Sequence, residues 1–232
     1  AVLIASTDCW HVLHALAEAG YRHVCLVIGT EHDQVRDYYG RRLKLTRISV
    51  SFAIQQEPRG TADAVAAAEE FAGGDHFLCL NSDNYYPPQA IADLRTRIIT
   101  SGLAGFTRDA MVAGGNVPAE RIAKFAVLDV DSQGRMKRII EKPDEATMNA
   151  LPHPLLVSMN CWRFGPSIFE AARRIEPSPR GELEITSAAQ FAIDELGETF
   201  QVLPYDQGVL DLSSRGDIAS VKQRLAGTEV RL

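Results

Sequence analysis

The chain has 232 residues, with 46% hydrophobic and 23% charged side chains and a formal net charge of −6. That composition fits one soluble globular domain large enough to bury a core unaided. It carries no long Lys/Arg block and no basic-aromatic interleaving, so nucleic-acid binding is not expected. No apolar run approaches the roughly 20 residues that a membrane span requires, and a cytoplasmic setting is the default expectation.

In chain order, residues 1–5 read as a strand and Trp10 to Ala19 as a helix stopped by Gly20. His23 to Ile28 is a second strand, and a short helix over Asp33 to Tyr39 is expected to end at Gly40. Ile48 to Gln55 is a third strand, followed by an Ala/Glu-rich helix over Thr61 to Phe71 that Gly73-Gly74 ends. His76 to Leu80 is a fourth strand. Pro87 suits the first turn of a helix that ends near Arg97, and Leu103 to Thr107 begins another strand. This alternation predicts βαβ units around a mainly parallel sheet flanked by helices, an α/β class of Rossmann-like type. From about residue 119 the pattern changes. Ile122 to Asp131 and Arg135 to Ile140 read as strands joined by a turn, and Leu156 to Phe164 as a further strand with Trp162 packed beneath the sheet. Helices over 166–175 and 185–195, short strands over 200–203 and 209–212, and a helix over 217–225 complete the chain. Residues 1–232 read as a single domain with a β-rich insertion at about 119–165.

Four cysteines, Cys9, Cys25, Cys79 and Cys161, form no CxxC pair and are expected to be reduced thiols. His11 and His14 share a helix face but lack an HExxH context, so zinc is not expected.

Three segments carry chemistry. The apolar run Phe77-Leu78-Cys79-Leu80 ends abruptly in Asn81-Ser82-Asp83-Asn84. In an open α/β sheet ligands sit at the carboxyl ends of strands, which puts Asp83 where it can hold a cation against phosphates. A plain turn or helix-capping role is the competing reading. Gln55-Gln56-Glu57-Pro58-Arg59-Gly60-Thr61 joins a strand to a helix. Gly60 permits close approach to the backbone, the helix start offers free N–H groups, and the Gln55 amide can complement a nucleobase edge. Glu141-Lys142-Pro143 offers a carboxylate for sugar hydroxyls and a mobile positive charge for a phosphate.

These segments, with Gly181-Glu182-Leu183-Glu184-Ile185-Thr186 and Gly208-Val209-Leu210-Asp211-Leu212, occur in one order along nearly the whole chain. That order resembles the sugar-1-phosphate nucleotidyltransferase family, whose members make nucleoside-diphosphate sugars. The resemblance implies a nucleoside triphosphate and a sugar 1-phosphate as partners, with UTP or dTTP and a hexose 1-phosphate favoured, and Mg²⁺ as cofactor. It implies that Asp83 and Asp211 bind the metal, Lys142 contacts the sugar phosphate, and Gln55 reads the base, with Gly60, Thr61 and Asn84 beside the nucleotide. Glu141 would hold sugar hydroxyls, and Glu184 would line the sugar pocket or support the wall behind it. The inserted segment would then serve the sugar. Self-association is left open.

Two departures from the family stand out. The Gly-rich triphosphate loop expected after the first strand is missing, since Ala5 runs directly into Ser6-Thr7-Asp8-Cys9 and the first Arg is Arg22. The flanks match the family on both sides, so a segment absent at that join is the expected explanation. A catalytically inactive sugar-nucleotide-binding subunit is the alternative. The second departure is Asn160, where many relatives carry Gly. Its amide could touch a sugar hydroxyl and change the acceptor preference, or simply be satisfied by backbone in a core strand.

Overall fold

The computed structural model describes residues 2–4, 10–214 and 216–232. Cys9 and the join between Ala5 and Ser6 lie outside the described residues. The first half alternates strand and helix. It runs β1 (Val2–Ile4), α1 (Trp10–Glu18), β2 (His23–Gly29), α2 (Asp33–Asp37), β3 (Ser49–Gln55), α3 (Thr61–Ala66), α4 (Glu69–Ala72), β4 (Phe77–Cys79), β5 (Asn84–Tyr85), α5 (Pro88–Thr96) and β6 (Ser101–Thr107). Next come α6 (Arg108–Ala113), β7 (Ala126–Val130), β8 (Met136–Ile140), α7 (Glu145–Ala150), β9 (Leu156–Phe164), α8 (Ser167–Arg174) and α9 (Ile185–Leu196). β10 (Phe200–Tyr205), β11 (Leu210–Asp211) and α10 (Asp217–Leu225) close the chain.

The main sheet has the order β10-β6-β9-β4-β1-β2-β3, with the β7–β8 hairpin attached through β9. β1, β2, β3 and β4 pair in parallel, as do β6 and β10, while β9 runs antiparallel to both its neighbours. The sheet is therefore mixed and mainly parallel. The run Val24 to Ile28 is apolar at every position because both faces are covered. One face packs on α1 and α5 through Leu13, Leu16 and Leu94, and the other on α3, α8 and α9 through Val65, Phe169 and Ala189. Trp162 is fully buried, stacked on Phe164 and edge-on to Phe200. This is the packing beneath the sheet that the sequence suggests for it.

Several expectations are corrected. β9, grouped with the insertion in the sequence reading, lies in the middle of the main sheet, and the hairpin β7–β8 is the part that leaves its path. The stretch expected to start a strand at Ile122 is a 3-10 turn over Ala119–Lys124, closed by Phe125 N–H donating to the Ile122 carbonyl, and the strand begins at Ala126. The helix expected over Thr61 to Phe71 is broken at Ala67-Ala68, where Ala68 N–H reaches back only three residues to Val65. Gly40 does not end its helix but sits inside a wide π-type turn, Tyr38–Arg42, closed by Leu43 N–H on the Tyr38 carbonyl. Two helices were not anticipated. Each carries a cap: Thr107 Oγ1 accepts from Ala110 N–H ahead of α6, and Asp144 Oδ1 from Thr147 N–H ahead of α7.

Candidate active site

The carboxyl ends of β2 and β4 open onto a cavity of about 370 Å³, within the range of small-ligand sites. Thr61, Val65, Asp83, Asn160, Trp162 and Ile185 are among its lining residues.

Asp83 follows β4 on the loop Asn81–Asp83, and that loop is fastened from below by Tyr86. The Tyr86 hydroxyl accepts from Asn81 N–H at 3.1 Å and donates to the Met159 carbonyl at 2.7 Å. Burial, and then the charge of Asp211, raise the Asp83 carboxyl above its ordinary pKa. The two residues meet because β5 and β11 form a separate antiparallel pair, with Asp211 opposite Asn84 and Leu212 N–H donating to the Asp83 carbonyl at 2.7 Å. Asp211 is 2% exposed. Asn116 grips its backbone with one hydrogen bond in each direction, both 2.7 Å. Its Oδ2 accepts from Ser213 Oγ at 2.6 Å and pairs with the Arg121 guanidinium, which also reaches Asp217. Arg121 lies just ahead of the segment read as a strand. Nothing local in the sequence ties it to Asp211.

Asn84 is buried. Its Nδ2 donates to the Tyr86 hydroxyl and the Met159 carbonyl, and its Oδ1 is a buried acceptor with no partner among the described residues. Asn160 interrupts β9 with φ +55°, at the register shift opposite Leu103 and Gly105. A left-handed residue inside a strand favours Gly and tolerates Asn, which accounts physically for both residue types at this position. Its Oδ1 accepts from Trp162 Nε1 at 3.1 Å while the residue lines the cavity.

Gly60 has φ +125° and ψ 177°, a conformation open only to glycine. A Cβ there would lie 2.5 Å from the backbone of Leu183, so the close approach that Gly60 allows is to its own chain. The helix start is not free either: Ala62 N–H donates to the Leu183 carbonyl, and Thr61 Oγ1 accepts from Ile185 N–H. Gln55 is half-buried at the end of β3, and its Nε2 donates to the Gly60 carbonyl at 3.0 Å and to Asp63 Oδ2 at 2.9 Å. Glu184 is held by Ser178 and Arg180.

Glu141 and Lys142 are exposed, and Lys142 adopts φ +46°, a strained value for a side chain of its size. Glu141 Oε1 accepts from the buried Thr186 hydroxyl at 2.8 Å, and both residues line a separate hollow with Gln190 and Asp194. The structure thus brings Thr61, Asp83 and Asn160 to one cavity, while Asp211, set next to Asp83 by the β5–β11 pair, is not among the residues that line it. Gln55, Lys142 and Glu184 lie outside the linings of both hollows. Among the described residues, no group of three or more His, Cys, Asp or Glu is placed to hold a metal, and no helix is long and apolar enough to cross a membrane. The described cysteines, Cys25, Cys79 and Cys161, are buried and free, as read from the sequence.

Comparison with known proteins gives one consistent result. A sequence model described as nucleotidyl transferase matches residues 3–222. The chain is 30% identical over 228 residues to the low-salt glycan biosynthesis nucleotidyltransferase Agl11 of Haloferax volcanii, covering 90% of this chain and 60% of that protein. It is 33% identical over 190 residues to a glucose-1-phosphate thymidylyltransferase of Streptomyces antibioticus, covering 78% of this chain and 47% of that protein. The chain therefore spans only about half of the length of these relatives. Among solved structures, a UDP-glucose pyrophosphorylase complexed with UDP-glucose superposes with a TM-score of 0.75 at 16% identity, covering 98% of each chain. A UTP-bound UGPase from Acinetobacter baumannii gives 0.74 at 16% identity, over 99% of this chain and 94% of that one. At such identities these two matches speak for the fold alone.

Proposed function

The chain belongs to the nucleotidyl transferase family, and from that premise we propose that it transfers a nucleoside monophosphate from a nucleoside triphosphate, UTP or dTTP by preference, to a hexose 1-phosphate, releasing pyrophosphate and forming a nucleoside-diphosphate sugar. The observation that supports this reading is the pairing of β5 with β11, which brings Asp211, from a distant part of the chain, next to Asp83, a residue that lines the cavity at the strand ends.

The donor set suits Mg²⁺, a hard cation that takes oxygen ligands. Burial first, and the Asp211 charge second, raise the Asp83 carboxyl, and a divalent cation held by these residues would offset both. Asp211 Oδ2 is already engaged by Arg121 and Ser213, so in this arrangement its other oxygen is the one to offer. When bound, the cation would neutralise charge on the triphosphate as it builds toward the transition state.

The sugar phosphate is anionic without help, so its attack on the α-phosphorus needs no general base. What the protein must provide is alignment and countercharge. Asn160 projects a polar side chain into the cavity at the break in β9. Lys142 is the mobile cation assigned to the sugar phosphate, and Glu141, held by Thr186, is the acceptor for its hydroxyls.

The test is a pyrophosphate-release panel of UTP, dTTP, CTP, ATP and GTP against several hexose 1-phosphates with Mg²⁺ present. Turnover with UTP or dTTP well ahead of the others is expected. Release by no pair, or a strong purine preference, would overturn the proposal.

A further inference from the structure

Beyond the residues assigned so far, we infer that Asp63 is a specificity-determining positioning residue. It locks the Gln55 amide so that the carbonyl oxygen, and not the NH₂ group, is left to meet the nucleobase. The inference rests on the assignment of Gln55 to the base under the proposed function.

The evidence lies in the turn between β3 and α3. A glutamine amide can turn end for end, exchanging a donor for an acceptor at nearly the same positions. In this chain it cannot do so freely. Both Nε2 protons are committed, one to the Gly60 carbonyl at 3.0 Å and one to Asp63 Oδ2 at 2.9 Å. Turning the amide over would set Oε1 against two acceptors, one of them a carboxylate. Arg59 sits 3.2 Å from the other Asp63 oxygen and supports its charge. The Gly60 carbonyl is equally fixed, because Gly60 adopts a glycine-only conformation pressed against Leu183. What Gln55 has left to offer is an acceptor. The ring N3–H of uracil or thymine can donate to it, whereas cytosine presents a lone pair at the same ring position. Asp63 would therefore enforce the choice of an imide base without touching the nucleotide.

Asp63→Asn is nearly isosteric and can present either a donor or an acceptor to Gln55, so it removes the lock and keeps the shape. Asp63→Glu keeps the acceptor. The measurement is kcat/KM for UTP, dTTP and CTP in the pyrophosphate-release assay with glucose 1-phosphate, with melting curves for each variant. Asp63→Asn is expected to lower the ratio of the better imide substrate to CTP by about tenfold, the worth of one ordinary hydrogen bond. Most of that change should lie in KM, and Asp63→Glu should retain most of the ratio. Asp63→Leu, which cannot accept at all, should lower it at least as far as Asn. A wild type that discriminates, with variants whose rates fall in parallel for all three triphosphates, would overturn the inference alone and make Asp63 merely structural. A wild type that does not prefer an imide base over CTP would overturn both the inference and the base-reading role of Gln55.

Discussion

The two walls of the cleft are built in different ways. On the wall formed by residues 55–86, many of the contacts that hold the site are short in sequence: Gln55 to Gly60 and Asp63, and Tyr86 to Asn81 and Asn84. On the second wall, which takes in the Arg121–Asp211 cluster and the separate Glu141–Thr186 hollow, most contacts are long, with Ser213 to Asp211 an exception. Arg121 reaches Asp211 across 90 positions, Asn116 reaches it across 95, and Thr186 meets Glu141 across 45. The first wall is assembled largely by its own turns and the second largely by the completed fold, so removing a charge should act mainly on chemistry at Asp83 and on folding at Arg121.

The largest effect expected on the first wall is Asp83→Asn. Removing the charge should lower turnover by about 10³-fold, as for loss of a key electrostatic group. Burial and the Asp211 charge raise the Asp83 pKa in the folded state, so the ionised form opposes folding at any pH above its unfolded pKa. The neutral Asn variant should then melt higher than the wild type without metal, by roughly 2 °C. Equal turnover by Asp83→Asn at saturating Mg²⁺ would remove it from the site. A lowered melting temperature would show that its role was structural, and the contrast between the walls would fail.

Arg121→Met tests the second wall. It leaves Asp211, whose side chain is 3% exposed, without its counter-charge. Breaking such a pair on one side costs about 3 kcal/mol or more, measurable by urea unfolding. Replacing both partners with apolar residues of similar size should recover most of that loss, because the buried charge goes as well. A loss under 1 kcal/mol for Arg121→Met would mean that the Asp211 carboxylate is satisfied without its counter-charge, Ser213 being its other partner.

This asymmetry also decides what could be read from the sequence. The order of strands and helices through β6 was legible apart from the two-residue β5, because apolar runs bounded by Gly and Pro mark buried parallel strands wherever they occur. Asp83 was legible for the same reason: a polar group just after such a run has to lie at the sheet's carboxyl edge. The place of β9 was not. An apolar strand following a hairpin gives no sign that it will insert between β4 and β6, since strand order is set by long-range packing. Nor did Arg121 announce its partner, as a basic residue near a Pro has many exposed fates. Asn160 offered a signal that was only partly used. Asn tolerates positive φ better than most residues, and Asn160 has φ +55° in the middle of β9. For Gly60 the conformation was legible but the neighbour was not, and Leu183 fills the space that the motif alone would leave for a ligand.

A smaller effect should separate the substrates. Thr186→Val removes the hydroxyl that donates to Glu141 and changes little else in volume. It should raise KM for the sugar 1-phosphate severalfold, consistent with the loss of about 1 kcal/mol, and leave KM for the triphosphate within error. Equal rises in both constants would show that Glu141 does not serve the sugar side.

A further effect concerns Tyr86, which lies on the first wall but ties it to the second. Its hydroxyl is fully buried. It takes the Asn81 N–H on one side, gives its proton to the Met159 carbonyl on the other, and receives Asn84 Nδ2 at 3.3 Å. Tyr86→Phe keeps the ring in contact with Phe106 and deletes these links. The Met159 carbonyl retains Asn84 Nδ2 as a donor, so it is not left orphaned, whereas Asn81 N–H loses its partner. The net cost should be about 1–2 kcal/mol, a fall of roughly 3–6 °C in melting temperature for a domain of this size. Asn81 begins the loop that ends at Asp83, so releasing it should also let the carboxylate wander. Turnover should then fall by a few fold, with the Mg²⁺ concentration for half-activity rising in step. If stability falls as stated and the Mg²⁺ dependence does not move, the hydroxyl supports the sheet and not the loop, and the position of Asp83 is set by its pairing with Leu212 alone.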